Sequence, residues 1–336
     1  MVSIVLVTYN RAKRLRLSIE DILRQTFQDF ELIICDDCSP DATEQVCREF
    51  EARDSRIRYF RHEQNKQMPG NLNFGIQQAK YEYIAILHDG DRYRQDLIEQ
   101  WYNALNTHTS CGLVFNALGD SDGDDRMVKV IQEFEEGIIE KDDLLHGVFF
   151  RRTNFSSPIY GETMVRKSLV EKRGYFDPQY SFYADVDMWM GILQHHDAYY
   201  CADALIKTPS KIFQPQEFKD DIVTFNTYLL DMSRKHRIQA FKHNRLKLTK
   251  EMVHFFFIAN VHLTYILLLV VKNFPFSYFL SCRKKLHRYF YTLPIWFLFL
   301  VTYPISRWVL RTFAGKKPMP EADENLQTKS EFLFSR

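Results

Sequence analysis

Asp89 and Asp91 stand two residues apart, directly after the apolar run Tyr83–Leu87. Carboxylates at that spacing beyond a strand end can share one divalent cation, Mg2+ or Mn2+, with diphosphate oxygens completing its shell. A second acidic group, Asp36, Asp37, Ser39 and Asp41, follows the apolar run Phe30–Cys35. A carboxylate at Asp37 can accept hydrogen bonds from a nucleobase or a ribose. A third pair, Asp185 and Asp187, lies in "YADVDMWM". An Asp at the mouth of a metal-bearing site can take a proton from an attacking hydroxyl. Taken alone, the same pattern before an apolar helix reads as a helix cap.

Cys35 and Cys38 flank two of these acids in C-x-x-C spacing, so a redox or metal pair competes with a ligand loop. A redox pair normally opens a helix with its first thiol exposed. A structural zinc site needs two further ligands at fixed spacing. Neither context is present, and Cys35, ending an apolar run, is expected to face the core. The remaining cysteines (47, 111, 201, 282) show no framework spacing and read as free thiols in a reducing compartment. His88 has no partner His at ligand spacing and is expected to pack under the Asp89 loop. Arg151 and Arg152 in "FFRRTNF" suit either a phosphorylated acceptor or a plain basic surface.

Positioning such residues requires a scaffold with its loops on one side. Ser3–Thr8, Phe30–Cys35, Ile57–Phe60, Tyr83–Leu87 and Gly112–Phe115 read as strands. Leu15 to Gln25, a helix capped by Asp41, Pro69–Ala79 and Asp96–Leu105 read as the helices between them. Alternating units with short loops predict an α/β fold, a parallel sheet flanked by helices, whose ligands bind beyond the carboxyl ends of the strands. Those ends read Thr8-Tyr9-Asn10, Asp36-Asp37 and Asp89-Gly90-Asp91. "LGDSDGDDR", from Leu118 to Arg126, is expected to be a solvated loop, because its glycine and its twelfth position do not suit a calcium loop. No G-x-G-x-x-G follows the first strand, against a dehydrogenase, and residues 8–14 lack the glycines of a nucleotidyltransferase phosphate loop.

Three stretches together resemble glycosyltransferase family 2, the inverting transferases of GT-A fold. They are "VSIVLVTYNRAKRLRLSIEDILRQTFQDFELIICDDCSPDAT", "PGNLNFGIQQAKYEYIAILHDGD" and "GYFDPQYSFYADVDMWMGIL". The resemblance implies that Thr8, Tyr9, Asn10 and Asp37 line the nucleotide pocket, with Asp37 meeting the base. It implies that Asp89 and Asp91 form the D-x-D, with Asp91 on the metal and Asp89 beside it toward the nucleotide sugar. It implies that Asp185 is the catalytic base of a single inverting displacement. Three positions depart from the family pattern. Ala184 stands where a Glu usually precedes the base, Leu72 replaces an Arg, and "KIFQPQ" (Lys211–Gln216) replaces a motif carrying a late His. These changes favour a rival reading, a degenerate sugar-nucleotide-binding or scaffold protein, which the retained Asp37, Asp89, Asp91 and Asp185 oppose. The absence of Q-x-x-R-W implies single addition rather than processive synthesis.

The formal net charge of +1 hides an asymmetry. From Arg234 to Lys317 sixteen Lys and Arg face one acidic residue, Glu251, leaving 28 basic and 42 acidic residues elsewhere. Val253–Val271 and Tyr289–Ser306 carry no Lys, Arg, Asp or Glu, and each is borderline for the ~20 residues of a membrane span. Translocating the loop between them would move five basic residues, against the positive-inside rule. A monotopic or re-entrant attachment to the cytoplasmic face of a membrane is therefore expected, with a buried helical subdomain as the alternative. Nucleic acid is not an expected partner, because phosphate binding does not call for long uncharged apolar runs. "MVSIVLVTYN" lacks a basic leader region and reads as a strand, which places the globular part in the cytosol. The expected organisation is a catalytic domain at 1–218, its nucleotide half at about 1–117 and its acceptor half at about 118–218, a membrane-associating helical region at 219–317 and a polar tail at 318–336. The expected partners are a nucleoside-diphosphate sugar and a glycan or lipid-linked acceptor, in cell-surface glycan or polysaccharide synthesis.

Overall fold

Val2–Thr8 (β1) and Phe30–Asp36 (β2) are buried along their whole lengths. They show no polar–apolar alternation because central parallel strands are covered on both faces. The computed structural model describes residues 1–122, 126–151, 157–159, 161–209, 222–256 and 258–259. They fall into two compact units, one within Met1–Leu144 and Pro158–Phe213, the other within Leu145–Ser157 and Gln214–Glu321.

The first unit is built on one sheet. Ile57–Arg61 (β3), β2, β1 and Tyr83–His88 (β4) run parallel in the order β3-β2-β1-β4. Thr163–Arg166 (β9) then lies antiparallel to β4 and to Cys111–Ser121 (β6). Asp197–Pro209 (β10) runs parallel to β6, and the short Arg92–Tyr93 (β5) closes the edge antiparallel to β10. Met127–Ile131 (β7) and Gly137–Ile139 (β8) pair with β6 and β10 off this path. Residues 118–121, expected in a loop, belong to β6, because Leu118, Gly119, Asp120 and Ser121 pair with β7. Partner strands supplied a regularity there that the run of Asp and Gly does not suggest.

The register levels the chemistry-bearing strand ends. Thr8 stands opposite Asp36, and Val7 stands opposite His88. The loops after β1, β2 and β4 therefore leave the sheet at one height. Strand β9 enters from that same edge, since Thr163 pairs with Ile86.

Helices Ala12–Leu23 (α1), Thr43–Arg53 (α2), Gln67–Gln78 (α3) and Leu97–Thr107 (α4) connect the strands of this half. Their apolar faces bury Leu15, Ile19, Val46, Phe50, Leu97 and Trp101 in a shared core with β1, β2 and β4. Helix α3 lies very close to the sheet, because a Cβ at Gly75 would fall 2.5 Å from Val5 Cγ1 and 2.9 Å from Cys35 Sγ. Cys35 is thus a core residue, and burial pushes its thiol up to about 12. Lys167–Arg173 (α5) and Ala184–Ile192 (α6) complete the unit.

In the second unit, the long helix Ile222–Phe241 (α7) carries Arg237 with no solvent exposure. Its guanidinium donates to the Phe150 carbonyl and the Ser233 hydroxyl, and lies 3.8 Å from Glu251. Arg151 donates to both Glu251 oxygens at 3.3 and 2.7 Å and sits 2.7 Å from His254 Nδ1. Arg151 is thereby committed within this unit, and Arg152 lies outside the described residues. No helix among the described residues is long and apolar enough to cross a membrane. The uncharged stretches beyond Ala259, the "KIFQPQ" segment and the tail also lie outside them.

The tight seat of α3 gives a direct test. Gly75→Ala overpacks a rigid strand residue, at a cost of about 2 kcal/mol. Thermal unfolding should show a Tm lower by roughly 4–8 °C. An unchanged Tm would contradict the close approach.

Candidate active site

Strand β1 ends at Thr8, whose hydroxyl donates to Asp89 Oδ2 at 2.6 Å. The Tyr9 N–H adds a second donor to the same oxygen at 3.2 Å, and Arg11 lies 3.7 Å from Oδ1. Asp89 is 6% exposed, so these donors hold a nearly dry carboxylate against the start of the first loop. Burial still pushes its carboxyl up, and the Thr8 hydrogen bond opposes that rise.

The β2 loop is braced from both sides. Asp36 accepts from Tyr59 Oη at 2.7 Å and from the Ser39 N–H at 2.9 Å. Asp37 donates its N–H to the Thr8 carbonyl at 3.0 Å, and its Oδ1 accepts from Lys66 N at 2.6 Å. Asn10 and Cys38 both take left-handed φ, 55° and 65°. The Asn10 N–H reaches Ser39 Oγ at 2.9 Å, which joins the two loops. Asp41 accepts from the first N–H of α1 and the first N–H of α2, at 3.0 and 3.1 Å. It serves two helix N-termini, where a cap on one was expected.

The third loop, His88 to Arg92, is clamped by α1. Ser18 donates to the Asp91 carbonyl at 2.8 Å, and Asp21 takes Arg92 in two bonds of 2.6 and 2.9 Å. Both Ser18 and Asp21 are buried among the apolar residues of α1. The Tyr93 hydroxyl accepts from the His88 N–H at 2.9 Å and donates to the His88 carbonyl.

Asp91 turns away from Asp89 toward residues that sequence reasoning did not single out together. One ligand atom each from His88, Asp91 and Glu162 lies within 4.8 Å of the other two. Glu162 immediately precedes β9, and His88 Nδ1 lies 3.1 Å from its Oε1. A Cβ at Gly161 would fall 2.5 Å from His88 Cε1, so the imidazole fits only because that position has no side chain. His88, expected only to pack under the loop, therefore joins a charged cluster.

The electrostatics follow from crowding. Burial and the Glu162 carboxylate push the Asp91 carboxyl well above its usual range. Burial alone would lower the His88 imidazolium, but Glu162, Asp89 and Asp185 overcome it and raise it to about 9. Burial likewise works against ionised Glu162, and His88 overcomes it, holding the carboxyl at about 2. Asp91 Oδ1 is buried without a hydrogen-bond partner, and Glu162 Oε1, equally buried, faces His88 Nδ1. An orphaned carboxylate oxygen beside a second carboxylate and an imidazole, all within 4.8 Å, suits a divalent cation. Asp91 and Glu162, with His88, are the residues that would hold it.

Asp185 comes to the same edge from the first turn of α6. It accepts from the Val186 N–H at 2.7 Å, and burial raises its carboxyl to about 6. Its neighbour Asp187 is spent elsewhere, in an ion pair with Arg173 at 3.2 Å. Ala184 is fully buried, and Leu72, at the position of the missing Arg, is 2% exposed. Arg11 is a cation whose ion pair places it by Asp89, whereas Lys66 meets Asp37 through its backbone N–H and sets its ammonium over the Phe74 ring.

The family model for glycosyl transferase family 2 matches residues 3–174, just over half of the chain, and the chain belongs to that family. A β-1,3-glucosyltransferase of Campylobacter jejuni acting on GalNAc(5)-diNAcBac-PP-undecaprenol is 29% identical over 199 residues, 59% of this chain and 61% of that protein. The glycosyltransferase GlyG of Streptococcus pneumoniae is 37% identical over 106 residues, 31% of this chain and 35% of that one. The chain thus spans less than two thirds of the length of these relatives. The GT-A fold is shared with S. aureus TarS 1–349 in complex with UDP-GlcNAc, at a TM-score of 0.59 and 16% identity, over 78% of this chain and 71% of that one. The mannosyltransferase PcManGT of Pyrobaculum calidifontis, in complex with GDP-Man and Mn2+, aligns over 94% of this chain and 88% of its own, with a TM-score of 0.50 and 14% identity.

The Thr8–Asp89 bond yields a prediction. Thr8→Val keeps the shape but removes the shortest donor to a buried carboxylate, at a cost of ~1–3 kcal/mol. Because Asp89 has a raised carboxyl, the charged form is the one that suffers. The stability gap to wild type should be wide at pH 7 and shrink as pH falls and Asp89 takes its proton. Thermal unfolding across pH checks this, and a gap that widens toward acid would contradict it.

Proposed function

We propose that this family 2 glycosyltransferase moves a sugar from a nucleoside-diphosphate sugar to a hydroxyl of a glycan or lipid-linked acceptor, once per encounter and with inversion. The observation that carries the reading is the level register of the strand ends. It supports the reading by bringing the loops that carry Thr8, Tyr9, Asn10, Asp37, Asp89 and Asp91 to one height, with Asp185 near enough for its charge to act on His88. Named relatives support the class of partners. TarS is described with UDP-GlcNAc, and the Campylobacter enzyme with an undecaprenol-linked glycan.

In this reading Asp37 and the β1 loop seat the nucleoside, and Arg11 offers charge to the diphosphate in place of the Arg lost at Leu72. A divalent cation, Mn2+ or Mg2+, when bound offsets negative charge on the diphosphate. Asp185, raised toward neutral pH by burial, accepts the acceptor hydroxyl proton. The freed oxygen pair forms the new bond to the anomeric carbon. The bond from that carbon to the diphosphate oxygen breaks on the opposite face, and the nucleoside diphosphate leaves with the electron pair. One displacement inverts the configuration, and the proton ends on Asp185.

The reading extends to cell-surface glycan assembly at the cytoplasmic face of a membrane, supported by the basic, uncharged-run composition of the C-terminal region. Val253 and Phe256, each 51% exposed, begin that apolar surface on described residues.

Two outcomes are expected. Asp185→Asn should lower turnover by about 10³-fold while sparing donor binding by calorimetry. In wild type, kcat/KM should fall tenfold per pH unit below about 6, where Asp185 becomes protonated. A variant that keeps turnover, or a pH profile flat through that range, would contradict the role of Asp185. Donor binding without transfer by wild type across a broad acceptor panel would instead support a scaffold.

The full chain should also fractionate with membranes, and truncation after Ala259 should release it. That cut keeps Glu251, and with it the partner of Arg151 and Arg237. Recovery of the full chain in the detergent-free soluble fraction would contradict membrane attachment.

A further inference from the structure

We propose that the cation is held by Asp91, Glu162 and His88, with Asp89 serving instead as a clamp between the first and third loops. The inference rests on the metal-dependent reading above and names its ligands.

The geometry separates the two aspartates of the D-x-D. Asp89 Oδ2 is occupied by the Thr8 hydroxyl and the Tyr9 N–H, and Arg11 faces Oδ1. Asp91, 3% exposed, keeps Oδ1 without a hydrogen-bond partner, and Glu162, 7% exposed, turns Oε1 to His88 Nδ1 at 3.1 Å in the same cluster. Donors about 2.1 Å from one cation lie about 3–4.2 Å from one another. The three ligand atoms here, all within 4.8 Å, need only a small closure to reach that spacing.

The cluster is also rigid. Its loop is fixed by Ser18 on the Asp91 carbonyl and by Tyr93 on the His88 backbone. Glu162 is anchored by the pairing of β9 with β4. Gly161 leaves the space the imidazole fills.

The donor set carries a selectivity. Two carboxylates alone suit Mg2+ and Mn2+ alike, whereas an imidazole nitrogen favours the transition metal. The site should therefore prefer Mn2+ to Mg2+, and that preference should reside in His88.

The test titrates the full chain with Mn2+ alone and with Mg2+ alone, by calorimetry in the presence of UDP. Glu162→Gln should weaken Mn2+ at least tenfold, while Asp185→Asn, which removes the same charge from the same edge but no ligand, should change it less than threefold. His88→Gln should bring the Mn2+ and Mg2+ affinities to within threefold of each other. Thermal unfolding without metal establishes that the variants fold. If Glu162→Gln does not, Glu162→Asp decides, with an expected loss of at least threefold. Wild-type affinity in Glu162→Gln, equal losses in Glu162→Gln and Asp185→Asn, or an unchanged metal preference in His88→Gln would overturn the assignment while leaving metal dependence standing. No Mn2+ binding by wild type would overturn both.

Discussion

Two carboxylates with almost no access to water, Asp91 and Glu162, face each other at one end of the sheet. Like charges in a dry setting repel strongly and lose their hydration, so Asp91 is pushed toward its neutral form, and the close approach persists because the surroundings impose it. The imposition is visible. Helix α1 grips the Asp91 loop through Ser18 and Asp21, Tyr93 pins the backbone of His88, and the β4–β9 pairing delivers Glu162. The imidazolium of His88 offsets part of the charge. A folded chain holding its donor atoms this way has fixed their positions before any ligand arrives, which is how preorganised sites lower a barrier.

The neighbouring loops show the contrasting solution. Asp36, Asp41 and Asp89 are acids of the same edge whose oxygens are taken by hydroxyls and backbone N–H groups. They fix loop shape and join β1 to its neighbours. Asp37, bonded to the backbone of Thr8 and of Lys66, is held by that frame in a loop that runs on through the left-handed Cys38. The C-x-x-C spacing is incidental to this. Cys35 packs beneath Gly75 in the core, whereas the Cys38 thiol reaches only the Glu63 carbonyl, at 3.5 Å.

Much of this was legible in the sequence, for identifiable reasons. Uninterrupted apolar runs marked β1, β2 and β4 as doubly covered strands, and a parallel sheet puts ligand residues after such runs. That rule found Thr8, Asp37, Asp89 and Asp91. It could not find Glu162, because β9 runs antiparallel, so the residue at the same edge comes before its strand. Only the short "GET" ahead of "MVR" hinted at it. Ser18 and Asp21 were hidden as polar residues within an amphipathic stripe, where they look like interruptions rather than clamps. His88 lacked a partner at helical or loop spacing, since its partner lies 74 residues further along the chain. The β6–β7 hairpin was misread because Asp and Gly dominate its tip, and strand pairing outweighed local preference.

Crystals of the full chain grown with UDP and Mn2+ test the central claim most directly, through the anomalous difference map at the manganese edge. The account places one peak within coordinating distance of the carboxylates of Asp91 and Glu162 and the ring of His88. A peak held by Asp89 with Glu162 remote from it, or an occupied nucleotide pocket with no peak at this edge, would contradict it.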